Sequence, residues 1–207
     1  TIIASFEAGA VSYLYYADRV NQLPLGVIGV AIGTALLPRL SKNIKAGRLE
    51  DALSNQEKSL EIGLMLTVPA ALGLMVLSDP IITLLFQRGL FDIESTNLTS
   101  LALLAYSTGL PAFVLIKILQ PNFFARSDTV TPIKIAAIAI VTNLILNLIL
   151  MQYFAHVGLA LATSVSAWLS AILLLIILKK KEFYRLRKLI LVKILQISLA
   201  ACMMAAG

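Results

Sequence analysis

Long stretches of the chain contain no Asp, Glu, Lys or Arg, and within them apolar residues are continuous rather than alternating. The charge-free runs cover 20–38, 62–78, 95–116 and 135–178. A transmembrane helix needs about 20 mostly apolar residues to cross a bilayer, whereas the strands of a membrane barrel alternate in hydrophobicity. The pattern therefore predicts membrane-spanning α-helices, and the last run is long enough for two of them.

Polar residues between the runs set the boundaries of the predicted helices. Spans are expected at 13–40, 58–78, 95–119, 131–152, 157–178 and 189–207. Residues 152–158, which include Tyr153, His156 and Gly158, predict a short interfacial turn between the fourth and fifth spans. The mixed-charge segment 42–58 is typical of a solvated connector and is also compatible with a short surface helix.

This pattern divides the chain into four parts. Residues 1–12 are expected to end a preceding transmembrane helix, and residues 13–178 to form a five-helix unit. Residues 179–188 form a basic loop, and residues 189–207 begin an additional transmembrane helix. Because the chain opens without a signal peptide and stops within an apolar segment, we expect it to be part of a longer protein.

Composition agrees with an all-α, polytopic membrane protein. Of the 207 residues, 59% are hydrophobic and 14% are charged, whereas soluble domains average about 45–50% and 25%. Mean hydropathy is +0.90. These values exclude a soluble enzyme, a nucleic-acid-binding domain and a disordered chain. Cys202, the single cysteine, excludes an intramolecular disulfide.

Basic residues are unevenly distributed among the predicted loops. Counted in or beside each loop in order, they number five, one, three, none and seven. Because cytoplasmic loops of membrane proteins are enriched in Lys and Arg, the first, third and fifth loops are expected to face the cytoplasm. The net charge of +6 is therefore attributed to loop charges rather than to nucleic-acid binding.

Arg19 is the basic residue that falls outside this alternation, at the head of the first charge-free run. An Arg within a membrane segment is costly and usually faces a wet cavity, where its guanidinium can bind a phosphate through two hydrogen bonds. The alternatives are that Arg19 extends to the interface or pairs with Asp18. Ser12 and Tyr15 share its helix face. Tyr16 and Gln22 add further polar groups, and the tyrosines are equally typical of an interfacial aromatic belt.

Asn143 and Asn147 lie one helical turn apart in the fourth span, and Thr163 is expected at a similar depth in the fifth. Amide and hydroxyl oxygens of this kind bind hard cations such as Na⁺. The more common use of such residues is hydrogen bonding between helices. Both interpretations remain open for this cluster.

Small residues line one face of the first span, with Gly29 and Gly33 four residues apart. This spacing favours close helix packing. The sequence contains no glycine-rich phosphate loop, no metal-ligand spacing and no Ser/His/Asp or Cys/His set, so we do not expect an enzyme.

Four motifs together resemble the MurJ (MviN) family of lipid II flippases, in the multidrug/oligosaccharidyl-lipid/polysaccharide exporter superfamily. They are YYADR (15–19), LPLGVIGVAIGTALLPRLS (23–41), LFQRGLFD (85–92) and FFARSDTVTPIK (123–134). They occur in family order and cover about residues 10–135. The resemblance implies the second lobe of a two-lobe exporter fold, followed by the start of an additional C-terminal helix. The first lobe would lie outside this chain.

The resemblance also implies roles for individual residues. Arg19 matches the second-lobe cavity arginine proposed to bind the lipid II pyrophosphate, and Ser12 matches a nearby cavity serine. Gln22 stands where some members carry an acidic residue. Asn143, Asn147 and Thr163 match the spacing of a sodium site present in some members, although Asn147 replaces an aspartate.

The expected function is movement of lipid II across a bacterial inner membrane by alternating access, for cell-wall synthesis. No organic cofactor is expected, and Na⁺ or the membrane potential would drive the cycle. The partners implied are lipid II, membrane lipids and the first lobe of the same protein. The alternatives are an exporter of another lipid-linked oligosaccharide or of a drug, and a membrane scaffold that transports nothing.

Overall fold

The computed structural model describes residues 9–181, and every regular element in that range is helical. In chain order these elements are α1 (Ala10–Pro24), a π-helical segment (Leu25–Val30), α2 (Ala31–Lys45), α3 (Leu49–Val76), α4 (Ser78–Phe86), α5 (Ile93–Ser107), α6 (Leu110–Phe124) and α7 (Val130–Lys180). Four continuous stretches are long and apolar enough to cross a membrane. The predicted span at 189–207 and the segment 1–8 lie outside the described residues.

The first stretch runs without interruption from Ala10 to Lys45, through α1, the π-helical segment and α2. Pro24 ends α1 immediately before the π-helical segment. A proline removes one backbone donor and crowds the preceding turn, and a π-bulge accommodates such a disturbance. The predicted span at 13–40 is therefore a longer helix with a local change of pitch at its middle.

The mixed-charge segment 42–58 is helical at both ends and turns only at 46–48. Gly47 adopts a positive φ of 72° there, a conformation that glycine tolerates without steric cost. Glu50 and Asp51 occupy the first turn of α3, where carboxylates stabilise the positive end of the helix dipole. The segment is thus the end of α2 and the start of α3 rather than a separate connector.

The region predicted as a loop at 79–94 contains the short helix α4, and the span predicted at 95–119 is divided at Thr108 and Gly109. Asp92 caps α5 by accepting a 2.8 Å hydrogen bond from the Ser95 amide. A Cβ at Gly109 would lie 2.7–2.8 Å from atoms of Ser164. The division therefore lies where α7 approaches the chain too closely for a side chain.

Helix α7 is a hairpin of two arms. Its 51 residues would extend about 75 Å if straight, more than twice the hydrocarbon thickness. The break is at Ala155, whose φ and ψ are 48° and −133°, within the turn predicted at 152–158. Contacts between Asn143 and Ser166, and between Asp128 and Lys181, show that the arms are antiparallel.

The core lies around α6, nine of whose 15 residues are buried. Its main cluster joins residues from α2, α3, α6 and the second arm of α7, among them Leu40, Leu64, Ile118, Phe123 and Leu174. A hydrogen bond between two helices also crosses the core. The fully buried Gln56 donates a 3.0 Å hydrogen bond from Nε2 to the Ile118 carbonyl, the kind of bond that joins helices in membranes.

A ring of apolar side chains remains exposed on the outside of the helices. It includes Val27, Leu84, Ile140, Leu148 and Ile176. Acyl chains solvate such a surface in a bilayer, since membrane-protein exteriors are apolar at hydrocarbon depth. The fold class expected from the sequence, an all-α polytopic membrane protein, is confirmed for the described residues.

Candidate functional site

Arg19 lies exposed on the outer face of α1. Its guanidinium carbon stands 4.7 Å from the centroid of the Tyr15 ring, a cation–π contact. Within residues 9–181, Arg19 forms no ion pair with a carboxylate. The alternative in which Asp18 pairs with Arg19 is therefore not observed in the described residues. Ser12 is also exposed on this helix, so Ser12, Tyr15 and Arg19 remain available to a ligand together.

Asp18 and Gln22 face a different space from Arg19. The Asp18 carboxylate accepts a hydrogen bond from Gln22 Nε2, one turn later. Both side chains line a groove of about 390 Å³ that also contains Asn21, Lys117 and Thr163. Asn21 is 2% exposed and its Oδ1 has no hydrogen-bond partner. The groove brings polar groups from α1, α6 and α7 to one place, which the linear sequence does not reveal.

Tyr16 packs into an aromatic cluster rather than beside Arg19. Its ring centroid lies 4.7 Å from that of Phe86 and 5.5 Å from that of Phe91. Phe86 ends α4, and Phe91 lies in the loop before α5. The cluster holds α1 against this segment. The six candidate residues of α1 therefore divide among an exposed face, a groove and a packing contact.

Asn143, Asn147 and Thr163 are brought together, as their spacing predicts. Asn147 Nδ2 donates to Asn143 Oδ1 at 2.9 Å, and Asn143 Nδ2 donates to Thr163 Oγ1 at 3.4 Å. Asn143 Nδ2 also donates to Ser166 Oγ at 3.1 Å. Ser166 was not predicted from the sequence. It lies one helical turn from Thr163 on the same face, and that spacing was the available signal.

The amide and hydroxyl oxygens of this cluster are neutral groups of a type that could hold a monovalent cation. Asn147 Oδ1 is buried and has no hydrogen-bond partner, so one ligand atom is already free. The hydroxyls of Thr163 and Ser166 both contact the Asn143 amide group. Among the described residues, no group of three or more His, Cys, Asp or Glu side chains could hold a metal ion. The donor set is therefore of the hard, uncharged type.

The small face of the first long stretch packs against α6, as its glycine spacing predicts. A Cβ at Gly33 would lie 2.9 Å from the Lys117 carbonyl oxygen, and one at Gly29 would lie 3.3 Å from the Val114 side chain. Pro121 has no N–H and so cannot bond to the carbonyl four residues earlier, which is that of Lys117. The carbonyl that lacks this donor faces the glycine, and the two helices approach closely at this point.

Comparison with known proteins gives a consistent result. The family model "Lipid II flippase MurJ" matches residues 1–207. A probable lipid II flippase MurJ from Rhizobium tropici is 47% identical over 86% of this chain, and one from Rhizobium meliloti (strain 1021) is 46% identical over 100%. The chain spans 34% and 39% of the lengths of these two relatives.

A solved structure shows the same architecture. The chain is similar to "Lipid II flippase MurJ, inward closed conformation", with a TM-score of 0.85 and 30% sequence identity. The match covers 98% of this chain and 41% of that chain. The arrangement of helices described above is therefore shared with a solved membrane transporter.

Proposed function

The chain belongs to the lipid II flippase MurJ family, and on that premise we propose that it forms the second lobe of a lipid II flippase. The flippase would move the lipid-linked peptidoglycan precursor from the inner to the outer leaflet for cell-wall synthesis. This assignment makes the chain part of a transporter rather than an enzyme. The observation that carries it is the exposed Arg19 on a membrane-spanning helix, without an ion-pair partner among residues 9–181.

Arg19 is proposed to bind the pyrophosphate of lipid II. A guanidinium presents donors in a planar fork that matches two phosphate oxygens at once. An arginine in a membrane segment costs about 2.5–3.5 kcal/mol at the helix centre on insertion scales. We therefore expect Arg19 to have a function that offsets this cost. The ring of Tyr15 stabilises the Arg19 guanidinium when no substrate is bound. Ser12 adds a hydroxyl on the same helix.

Alternating access would require this lobe to move against a first lobe in the rest of the protein. Transporters of this kind bind substrate near the bilayer midplane and rock two halves around that site. The π-helical segment Leu25–Val30 begins six residues after Arg19, and π-bulges are frequent at functional sites. We assign to it the bending between α1, which carries Arg19, and α2, which is packed on α6.

We place the protein in a bacterial inner membrane with its basic loops in the cytoplasm. The ion pair of Asp128 with Lys181 joins the start and end of α7 at one end of the molecule. Gln56, near the start of α3, reaches α6 at Ile118. The connections after α2 and α6 and the basic end of α7 at 179–181 therefore share one end, which agrees with the positive-inside rule.

Na⁺ is proposed as a coupling ion at Asn143, Asn147, Thr163 and Ser166. The buried, unpartnered Oδ1 of Asn147 supports this role, because an unsatisfied oxygen at hydrocarbon depth is costly. When bound, a cation would join the two arms of α7 through uncharged oxygens. Membrane potential is the alternative energy source, at about 2.3 kcal/mol per charge per 100 mV.

Three alternative functions would place different demands on the same lobe. An exporter of another lipid-linked oligosaccharide would keep a phosphate-binding arginine, whereas a drug exporter would be expected to expose acidic and aromatic groups instead. A scaffold that transports nothing would depend on helix packing and not on Arg19. The exposure of Arg19 favours a substrate that carries phosphate.

The test is lipid II translocation by the full-length protein in vesicles, comparing Arg19→Ala and Arg19→Lys with wild type at equal abundance. We expect Ala to reduce transport at least tenfold and Lys to restore part of it, since an ammonium binds phosphate without the planar fork. Arg48→Ala is the matched control. Arg48 is an exposed loop residue paired with Asp51, and its loss should leave transport unchanged.

Each outcome has a distinct meaning. Full activity of Arg19→Ala would show that Arg19 is an interfacial residue and would remove the proposed binding site. If the wild-type protein moves another lipid-linked sugar but not lipid II, the proposed substrate is wrong and that sugar takes its place. Repeating the assay with choline in place of Na⁺ tests the proposed coupling ion, because unchanged transport contradicts it.

A further inference from the structure

A second groove lies between α2 and α3, on a part of the lobe that the proposed transport site does not use. It has a volume of about 130 Å³ and is lined by Ile32, Ala35, Leu36, Arg39, Asn55, Ser59 and Ile62. Its residues come from two consecutive helices joined by the short connection at 46–48. The groove is therefore formed entirely within one helical hairpin.

The groove is polar at one end and apolar at the other. Arg39 lies six residues before the end of α2 and Asn55 six residues after the start of α3, so both are about 9 Å from the connection. Ile32 and Ile62 lie thirteen residues from the same helix ends, which places them about 20 Å away. Because the helices are antiparallel, the polar groups face one another at the basic end of the molecule.

The polar end carries donors suited to a phosphate. Arg39 offers a guanidinium, Asn55 an amide and Ser59 a hydroxyl. Arg39 forms no ion pair with any residue in the range 9–181, so its charge is available. Charge-assisted bonds from arginine to phosphate are about twice as strong as bonds between neutral groups.

The apolar end continues onto the outer surface of α3. Ile62, Met65 and Leu66 are 52%, 59% and 49% exposed, and they extend the apolar wall in the direction away from the connection. An acyl chain can follow this surface without leaving the hydrocarbon. A phosphate group alone would use only the polar end and would leave the apolar end without an occupant.

We propose that this groove binds one anionic glycerophospholipid from the leaflet at the basic end of the protein. Its phosphate lies against Arg39, Asn55 and Ser59, and one acyl chain lies along Ile32 and Ile62. The bound lipid fastens α2 to α3 at the membrane surface. This site is separate from Arg19 and from the groove beside Asp18, so it does not depend on the identity of the transported substrate.

The experiment is native mass spectrometry of the full-length protein titrated with phosphatidylglycerol or with phosphatidylcholine of the same chains. Wild type is expected to retain one tightly bound phosphatidylglycerol. Arg39→Gln should weaken that binding about tenfold and leave phosphatidylcholine binding unchanged. Ser59→Val, which removes a donor, should weaken it by a smaller factor and provides a second test if Arg39→Gln does not fold.

Lys42→Gln is the matched control, because Lys42 is exposed on the same helix and does not line the groove. It should change phosphatidylglycerol binding less than threefold. An equal loss in Lys42→Gln would show that diffuse attraction to basic residues explains the binding, and unchanged binding in Arg39→Gln and Ser59→Val would remove the site. If millimolar inorganic phosphate displaces phosphatidylglycerol, the ligand of the site is a free anion rather than a lipid. If phosphatidylcholine is retained as well as phosphatidylglycerol, the site does not select anionic lipids and the proposal is contradicted.

Discussion

The contact between Arg19 and Tyr15 shows how a single charge is held on a membrane-spanning helix before substrate arrives. The guanidinium lies 4.7 Å from the ring centroid, within the range in which the face of an aromatic ring attracts a cation. Such a contact involves the ring face and leaves the N–H donors of the guanidinium free. Tyr15 therefore stabilises Arg19 without competing for the hydrogen bonds that a phosphate would use.

Replacing Tyr15 with Leu should lower the free energy of unfolding by about 1 kcal/mol, because a partly exposed cation–π contact contributes about 0.5–2 kcal/mol. Tyr15→Phe should cost much less, since it keeps the ring. The measurement is unfolding of the full-length protein in mixed micelles. In an Arg19→Ala background the cost of Tyr15→Leu should shrink, and an equal cost in both backgrounds would show that the ring acts only by packing.

The contact between α2 and α6 brings together a glycine in one helix and a proline-disturbed turn in the other. Gly33 lacks a side chain where the Lys117 carbonyl, which receives no hydrogen bond from Pro121, approaches from α6. A backbone oxygen cannot move aside as a flexible side chain can. The tight crossing therefore depends on glycine at this one position.

Gly33→Ala should destabilise the protein by about 1–3 kcal/mol, the usual cost of adding a methyl group to a filled interface. Gly73→Ala is the matched control, because a Cβ at Gly73 meets nothing within 4 Å. Alanine is a better helix former than glycine, so the control should be neutral or slightly stabilising. Melting temperatures of the full-length variants measure the difference, and equal values would mean that α2 and α6 adjust freely.

Much of the element-level organisation could be predicted from sequence, because long charge-free apolar runs typically form membrane-spanning helices. The two arms of α7 and the small face of α2 follow from such patterns. The division at Gly109 could not be predicted, since it arises from the approach of Ser164, 55 residues later in the chain. Helix α4 was missed because nine residues are too few to resemble a span.

The candidate site was predictable in part for a related reason. Arg19 stands out as a charge in an apolar segment, and Asn143 and Asn147 stand out by their spacing. The groove beside Asp18 depends on Lys117 and Thr163 from distant segments, and the packing of Tyr16 depends on Phe86 and Phe91. Local spacing reveals which residues share a helix face, whereas contacts between helices require the fold.

At the scale of the whole molecule, one ion pair closes the α7 hairpin. Lys181 Nζ lies 2.5 Å from Asp128 Oδ2, and Asp128 Oδ1 accepts a 3.0 Å bond from the Thr131 amide. The hydrogen bond from Lys181, followed by those from Thr131, lowers the pKa of Asp128 from 3.8 to about 2. This carboxylate lies in the connection before α7, outside the membrane-spanning helices, so its titration follows the pH of the solvent.

A lowered pKa in the folded state means that the carboxylate stabilises the fold above its unfolded pKa. The contribution should be present above about pH 4 and should be lost as the pH falls towards about 2. Its size should be at most about 1 kcal/mol, because the pair is partly exposed and water screens it. The difference in unfolding free energy between wild type and Asp128→Asn should therefore be largest near neutral pH, and a difference that does not change between pH 6 and pH 2 would contradict this assignment.

The close packing of Gly33 against the Lys117 carbonyl also has a consequence for how the protein is made. The two positions are separated by 84 residues, so at about 5–20 residues per second the ribosome needs roughly 4–17 s to supply the second after the first. During that interval the glycine face of α2 has no partner helix. A substitution at Gly33 should therefore leave membrane insertion of the nascent helix intact and fail only when α6 arrives, so that the cell removes a fully inserted but unassembled protein.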